Sequence, residues 1–212
     1  MKTYRLILVA VAVALAMAGC RTSRTGVTGG REWQNVVIPA RLNVEGGKSM
    51  GASGRLTMVR NESVYLSVRM LGMEFFSLYA AGDSLWAYDR MSGTLVGERL
   101  GHDPVKGGRL DIRRIQDLLL CKGGKPASFT AEVWNHRVVC EAGDEVETPY
   151  GVMRGGWKAE IEGMDVSAEV SWGLQDAQWN KETVGEWKRP RNAKRVINGS
   201  GELLKWLGAE ER

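Results

Sequence analysis

The chain has 212 residues, of which 43% are hydrophobic, 25% charged and 8% aromatic, with a formal charge of +4. These values exclude a wholly disordered chain, a collagen-like repeat and a multi-pass membrane protein. With 27 glycines and 5 prolines, the composition fits many tight turns between strands better than a helix bundle.

The first segment reads as an address. Lys2 and Arg5 form a short basic start, and residues 6–18 are an uninterrupted apolar run. That run is shorter than the roughly 20 residues a bilayer-spanning helix needs, and has the length of a signal-peptide core. It ends in Met17-Ala18-Gly19-Cys20. This resembles the lipobox of bacterial lipoproteins, although Met17 stands where the family usually has Leu. The resemblance implies that residues 1–19 are a signal peptide and that Cys20 is the lipidated first residue of the mature chain, carrying acyl chains such as palmitate. Residues 20–32 are then a polar tether. Residue 21 is Arg, not the Asp of inner-membrane retention, and no acidic cluster follows. By that resemblance the anchor lies in the outer membrane, on its periplasmic face. Losing Lys2 and Arg5 with the signal takes the charge from +4 to +2, too near neutral to argue for nucleic acid as a partner.

From residue 36 the dominant period is two. Val36, Ile38, Ala40, Leu42 and Val44 alternate along the first run, and Val64, Leu66, Val68 and Met70 alternate with Tyr65, Ser67 and Arg69. Phe129, Ala131 and Val133 repeat the pattern, and so do Met164, Val166, Ala168, Val170 and Trp172. Each run has one apolar and one polar face, as in an antiparallel sheet with a wet side. Turn residues such as Glu45-Gly46-Gly47-Lys48, Arg60-Asn61-Glu62 and Ala81-Gly82-Asp83 separate the runs at a spacing of about ten residues. Some ten or eleven strands are expected, in one mainly β domain over residues 33–212.

Two helices interrupt the strands. Asp111 can cap a helix near 111–121, in which Ile112, Ile115 and Leu119 share a face. Ser200 can cap a second near 200–208, ended by Gly208.

The order of these segments carries a resemblance. A lipobox and tether lead into Val64-Tyr65-Leu66-Ser67-Val68-Arg69, then Gly82-Asp83-Ser84-Leu85-Trp86-Ala87-Tyr88-Asp89, then Ile115-Gln116-Asp117-Leu118-Leu119. This resembles a Bacteroidota family of uncharacterised lipoproteins whose fold is similar to the lipoprotein-localisation factors LolA and LolB. The resemblance implies a single open, strongly curved antiparallel β half-barrel with a helical lid and an apolar cavity for acyl chains. The expected lining is Leu42, Leu56, Met58, Leu66, Val68, Phe75, Tyr79, Val166 and Val170, closed by Ile115, Leu118 and Leu119. It also implies a membrane-contact tip. In LolB-like proteins a protruding apolar loop is implicated in passing lipoprotein into the membrane, and Leu71, with Met73 beside it, matches by position in the hairpin. The alternative, which the sequence favours, is that Leu71 and Met73 pack in the core.

Other chemistry is sparse. Cys121 and Cys140 are a possible disulfide in an oxidising compartment or two buried thiols. The basic run of Lys188, Arg189, Arg191, Lys194 and Arg195 reads as a solvated loop before it reads as a head-group contact. His102 and His136 lack ligand-spaced neighbours, so no metal is expected. Gly46-Gly47-Lys48-Ser49 is a turn, since the first glycine of a phosphate loop would stand where Leu42 is. Asp144, Glu145 and Glu147 read as a solvated acidic loop, and Trp157 and Trp172 as core. No nucleophile elbow is present, so neither an enzyme nor a cofactor is expected. Two readings remain: a carrier that binds lipid or lipoprotein acyl chains at the membrane, and a non-catalytic scaffold subunit of a cell-envelope complex with a filled barrel.

Overall fold

The alternation that begins at residue 36 becomes strand β1, Asn35–Glu45, with Val36, Ile38, Ala40, Leu42 and Val44 buried and Arg41, Asn43 and Glu45 exposed. The structure is a computed structural model, and it describes residues 32–46, 49–99, 111–120, 128–133, 136–165 and 167–199. Hairpins follow in sequence order: β2 Met50–Val59, β3 Ser63–Met70, β4 Met73–Ala81, β5 Ser84–Asp89 and β6 Thr94–Arg99. After helix α1, Ile112–Leu120, come β7 Ser128–Val133, β8 His136–Ala142, β9 Glu145–Thr148, β10 Gly151–Arg154, β11 Gly156–Ile161 and β12 Ser167–Trp172. The short β13, Gln178–Trp179, and β14, Arg195–Asn198, complete the order.

Twelve of these strands form one sheet, in the order β14-β6-β5-β4-β3-β2-β1-β12-β11-β8-β7, with β13 added beside β1. Its two edges, β14 and β7, do not pair, so the sheet is an open half-barrel rather than a closed one. The fold is therefore mainly β, as the periodicity predicts. It holds more strands than the ten or eleven expected, because β9, β10, β13 and β14 have four residues or fewer, too short to show a period. One pairing departs from the antiparallel rule: β14 runs parallel to β6. The acidic loop at Glu145 and Glu147 is the exposed side of β9, and Arg154 of β10 holds Glu145 at 2.8 Å.

Register carries one apolar face across the strands. Ile38 pairs with Leu56, Leu56 with Leu66 and Leu66 with Leu78. Val36, Met58, Val64 and Ala80 form the neighbouring row, and Leu42 pairs with Val170. This concave face is the core, joined by Trp157, Trp172 and Leu174. A bulge between Val68 and Arg69 puts one extra residue into β4. Both Phe75 and Phe76 are buried there.

The convex face is covered too. Tyr79 stacks on Trp187 with ring centroids 4.5 Å apart, and the Arg189 guanidinium lies 4.5 Å over the Trp86 ring. Lys194 donates its backbone N–H to Gly93 O at 2.8 Å. The basic run is thus a strap laid along the back of β4, β5 and β6, not a free loop. Beneath it, Leu95 is fully buried outside the main core cluster.

Because neighbours are antiparallel, the turns β1–β2, β3–β4, β5–β6 and β11–β12 all lie at one end of the sheet. The turns β2–β3 and β4–β5 lie at the other, and α1 is attached there.

Candidate functional site

Two features of the fold bear on ligand and membrane contact: the concave face with α1 upon it, and the β3–β4 tip.

Helix α1 begins where Asp111 places it, with the Ile115 N–H donating to Asp111 O at 3.1 Å. Ile112, Ile115, Leu119 and Leu120 are buried against the core. Each such side chain contributes about 1.5–3 kcal/mol by leaving water. Gln116 is buried on the same helix and supplies polar hold. Its Nε2 donates to Val59 O at 2.8 Å and Ser63 O at 3.0 Å, and its Oε1 accepts the Asn61 N–H at 3.0 Å. One glutamine thereby satisfies three backbone groups of the β2–β3 turn. At the other side of the helix, Trp172 Nε1 donates to Leu119 O at 3.1 Å. Sequence reading found the apolar face of this helix and overlooked Gln116. A glutamine one position after Ile115, beside the apolar stripe of Ile112, Ile115 and Leu119, was the available signal.

Of the expected cavity residues, Leu42, Leu56, Met58, Leu66, Val68, Phe75, Ile115, Leu119 and Val170 are all buried. Leu56 and Met58 have 0% exposure, so no water-sized space adjoins them. Tyr79 requires correction: its register partner is Tyr65, which places both rings on the convex face, under the strap. Phe75 stays in the core at the bulge, and beyond it the inward residues of that strand are Phe76, Leu78 and Ala80, so that Tyr79 falls one position out of step. The side chain of Leu118 and all of Val166 lie outside the described residues. Open space of about 530 Å³ lies where Gly143, Gly155 and Gly156 meet Trp157, Val170 and Leu174.

The tip is different in kind. Met70 pairs with Met73 across a two-residue turn, Leu71-Gly72, with φ of 51° and 80°. Both central residues need the left-handed region, which suits Gly and Asn and strains Leu. Leu71 is 94% exposed and Met73 69% exposed. Neither packs in the core, contrary to what the apolar run suggests. Behind the tip, Glu74 Oε2 accepts hydrogen bonds from Tyr65 Oη at 2.8 Å and Ser67 Oγ at 2.5 Å. Burial first, then the Glu74 carboxylate, pushes the Tyr65 hydroxyl up to about 12.

Cys140 is a free, fully buried thiol whose pKa burial pushes up to about 12. Cys121, its expected partner, lies outside the described residues, as do Cys20 of the lipobox, His102 and the helix expected near 200–208.

No family model matches the chain, and no curated protein does. Solved structures do. One is a domain described as an outer-membrane lipoprotein-sorting protein from Vibrio parahaemolyticus, 8% identical, with a TM-score of 0.44 over 73% of this chain and 89% of that one. Another is a LolA superfamily protein from Nitrosomonas europaea, 5% identical, with a TM-score of 0.45 over 83% of this chain and 94% of that one. A DUF1329 family protein from Desulfovibrio piger is 9% identical, with a TM-score of 0.43 over 84% and 95%. At these identities and scores the likeness says nothing of what this chain binds.

Proposed function

We propose that the chain is a non-catalytic, lipid-anchored envelope protein that binds acyl chains of a lipid or lipoprotein between its sheet and α1. The supporting observation is an open sheet whose apolar concave face is closed at one end by a nine-residue amphipathic helix. An alkyl chain laid on that face gains about 25 cal/mol for each Å² of apolar surface it covers. That gain offsets the burial the helix side chains give up when the alkyl chain takes their place. Gln116 is the latch that must release. In this reading Cys20 supplies the anchor in the outer membrane, and Leu71 and Met73 touch the bilayer when cargo passes.

A second reading has its own support. Leu56, Met58, Val36 and Ile38 are fully buried, as in a barrel filled by its own side chains, and such a chain would serve as a scaffold subunit. Native mass spectrometry of gently purified protein, with displacement of a fluorescent fatty acid, separates the two. Co-bound lipid and saturable displacement support the carrier. Neither, at lipid concentrations that load a known fatty-acid binder, leaves the scaffold.

A further inference from the structure

Among the described residues, six large apolar side chains are exposed: Leu71, Met73, Met91, Val152, Met164 and Val196. Four of them, Leu71, Met73, Met91 and Met164, stand on turns at the same end of the sheet. The turns at the opposite end carry Asn61, Glu62, Gly82 and Asp83 instead. This asymmetry is unrelated to core packing, since none of the four contributes to the core cluster.

Met91 is held out by its neighbours. Asp89 Oδ1 accepts the Met91 N–H at 2.9 Å and the Ser92 N–H at 3.3 Å, and its Oδ2 accepts the Ser92 hydroxyl at 2.8 Å. Cations surround these two neighbouring hairpins. Arg69 and Arg90 are exposed beside Leu71 and Met91. The strap delivers Lys194 and Arg195 to the same turn, where both backbone N–H groups donate to Gly93 O. The nearby acids are engaged inward: Asp89 caps its own turn, and Glu74 accepts from Tyr65 and Ser67.

We infer that the β3–β4 and β5–β6 tips form one docking rim for an anionic phospholipid surface. Leu71, Met73 and Met91 enter the acyl boundary, while Arg69, Arg90, Lys194 and Arg195 meet the phosphates. Apolar tips ringed by cations match that surface. Unbranched, polarizable methionine adapts to irregular packing partners such as lipid chains. The inference deepens the membrane contact proposed above and rests on that reading for the anchor. It also constrains the tether. Strand β1 starts at the end opposite the rim and spans eleven residues, about 36 Å. Fully extended, residues 20–32 reach about 40 Å. The anchor and the rim can therefore share one bilayer only if the tether runs back along the sheet.

The test uses the lipidated full chain in phosphatidylcholine–phosphatidylglycerol vesicles with brominated acyl chains. Met91→Trp and Met73→Trp are compared with Glu62→Trp at the opposite end. The expected result is quenching of the added tryptophan at 91 and 73 and none at 62. Arg90→Gln with Arg69→Gln should lose most of that quenching, as should deletion of residues 22–29. Equal quenching at 91 and 62, or quenching that persists unchanged without phosphatidylglycerol, overturns the inference. So does a dimer that Met91→Glu dissolves, which would give the rim to a second copy. Circular dichroism confirms that each variant is folded. Fatty-acid displacement is measured on the same samples. Displacement without quenching sinks the rim and leaves the carrier standing, and the reverse result sinks the carrier alone.

Discussion

Asn61 and Leu71 flank strand β3 in the same left-handed backbone conformation, with φ of 57° and 51°. At one end of the strand the position is filled by a residue suited to that region, and the Asn61 N–H is taken up by Gln116. At the other end a leucine holds it, almost wholly in solvent. Folding alone gives no reason for that choice, because Leu71 is strained by its backbone and gains nothing from burial.

Leu71→Asn should therefore stabilise the protein while weakening membrane contact. Relief of the left-handed strain is about 1 kcal/mol, which raises the melting temperature by roughly 2–4 °C in a domain of this size. Asn61→Leu should lose about as much stability and leave vesicle contact unchanged. Scanning calorimetry with vesicle flotation reads both. A destabilised Leu71→Asn would mean that the side chain packs after all.

Gln116→Leu removes three hydrogen bonds to the β2–β3 turn while keeping an apolar side chain in place. Losing the bonds to the Ser63 carbonyl and the Asn61 N–H, while Val59 O keeps the Glu62 N–H at 3.0 Å, should cost about 1–3 kcal/mol in urea unfolding. Amides of α1 should exchange faster, and a fluorescent fatty acid should enter faster. Lost stability with unchanged uptake would show that α1 does not gate the concave face.

Gly54 lies within β2, opposite Ala40, and a Cβ there would stand 2.8 Å from the Ser67 carbonyl oxygen. A glycine replaced by alanine at an unstrained site usually gains about 0.4–1 kcal/mol. Gly54→Ala should instead lose about 1–3 kcal/mol, because backbone must give way. The sign of the change in urea midpoint decides whether β2 and β3 approach this closely.

Tyr65 ionises near 12 in the folded chain and near 10 when unfolded. Its folded value is the higher one, so its contribution is fully present below pH 10 and is lost as pH rises through 12. Tyr65→Phe should flatten the fall in stability over that window. At neutral pH it should cost about 1 kcal/mol, one hydrogen bond. An identical alkaline slope in both proteins would show that Glu74 and burial do not hold the hydroxyl protonated.

Much of the fold was legible in local pattern. The two-residue alternation of Val36 to Val44 and of Val64 to Met70 gave strands whose inward faces are the alternating apolar positions. Asp111 and the spacing of Ile112, Ile115 and Leu119 located α1 within a residue of its observed start. Period failed where the strand is irregular. The bulge after Val68 buries both Phe75 and Phe76, and beyond it the inward residues are Leu78 and Ala80 rather than Tyr79. Met164, read as the start of an alternating strand, lies in the turn before β12.

The candidate site was less legible. Apolar character marked Leu71 and Met73, but an apolar residue beside a glycine is equally at home in a core or on a tip. Met91 carried no pattern at all, and Gln116 only its place beside the apolar stripe of α1. The strap was invisible for another reason: Arg195 pairs with Thr94 across roughly a hundred residues, and no local signal encodes such a partner.

By itself the sequence determined the strands, the helix and the turns, because alternation, capping and backbone preference act over a few neighbouring residues. Only the tertiary structure decided which turns share an end, which face the strap covers and which methionines stay in solvent. Those depend on register and strand order, which are settled by long-range packing of one apolar face against another.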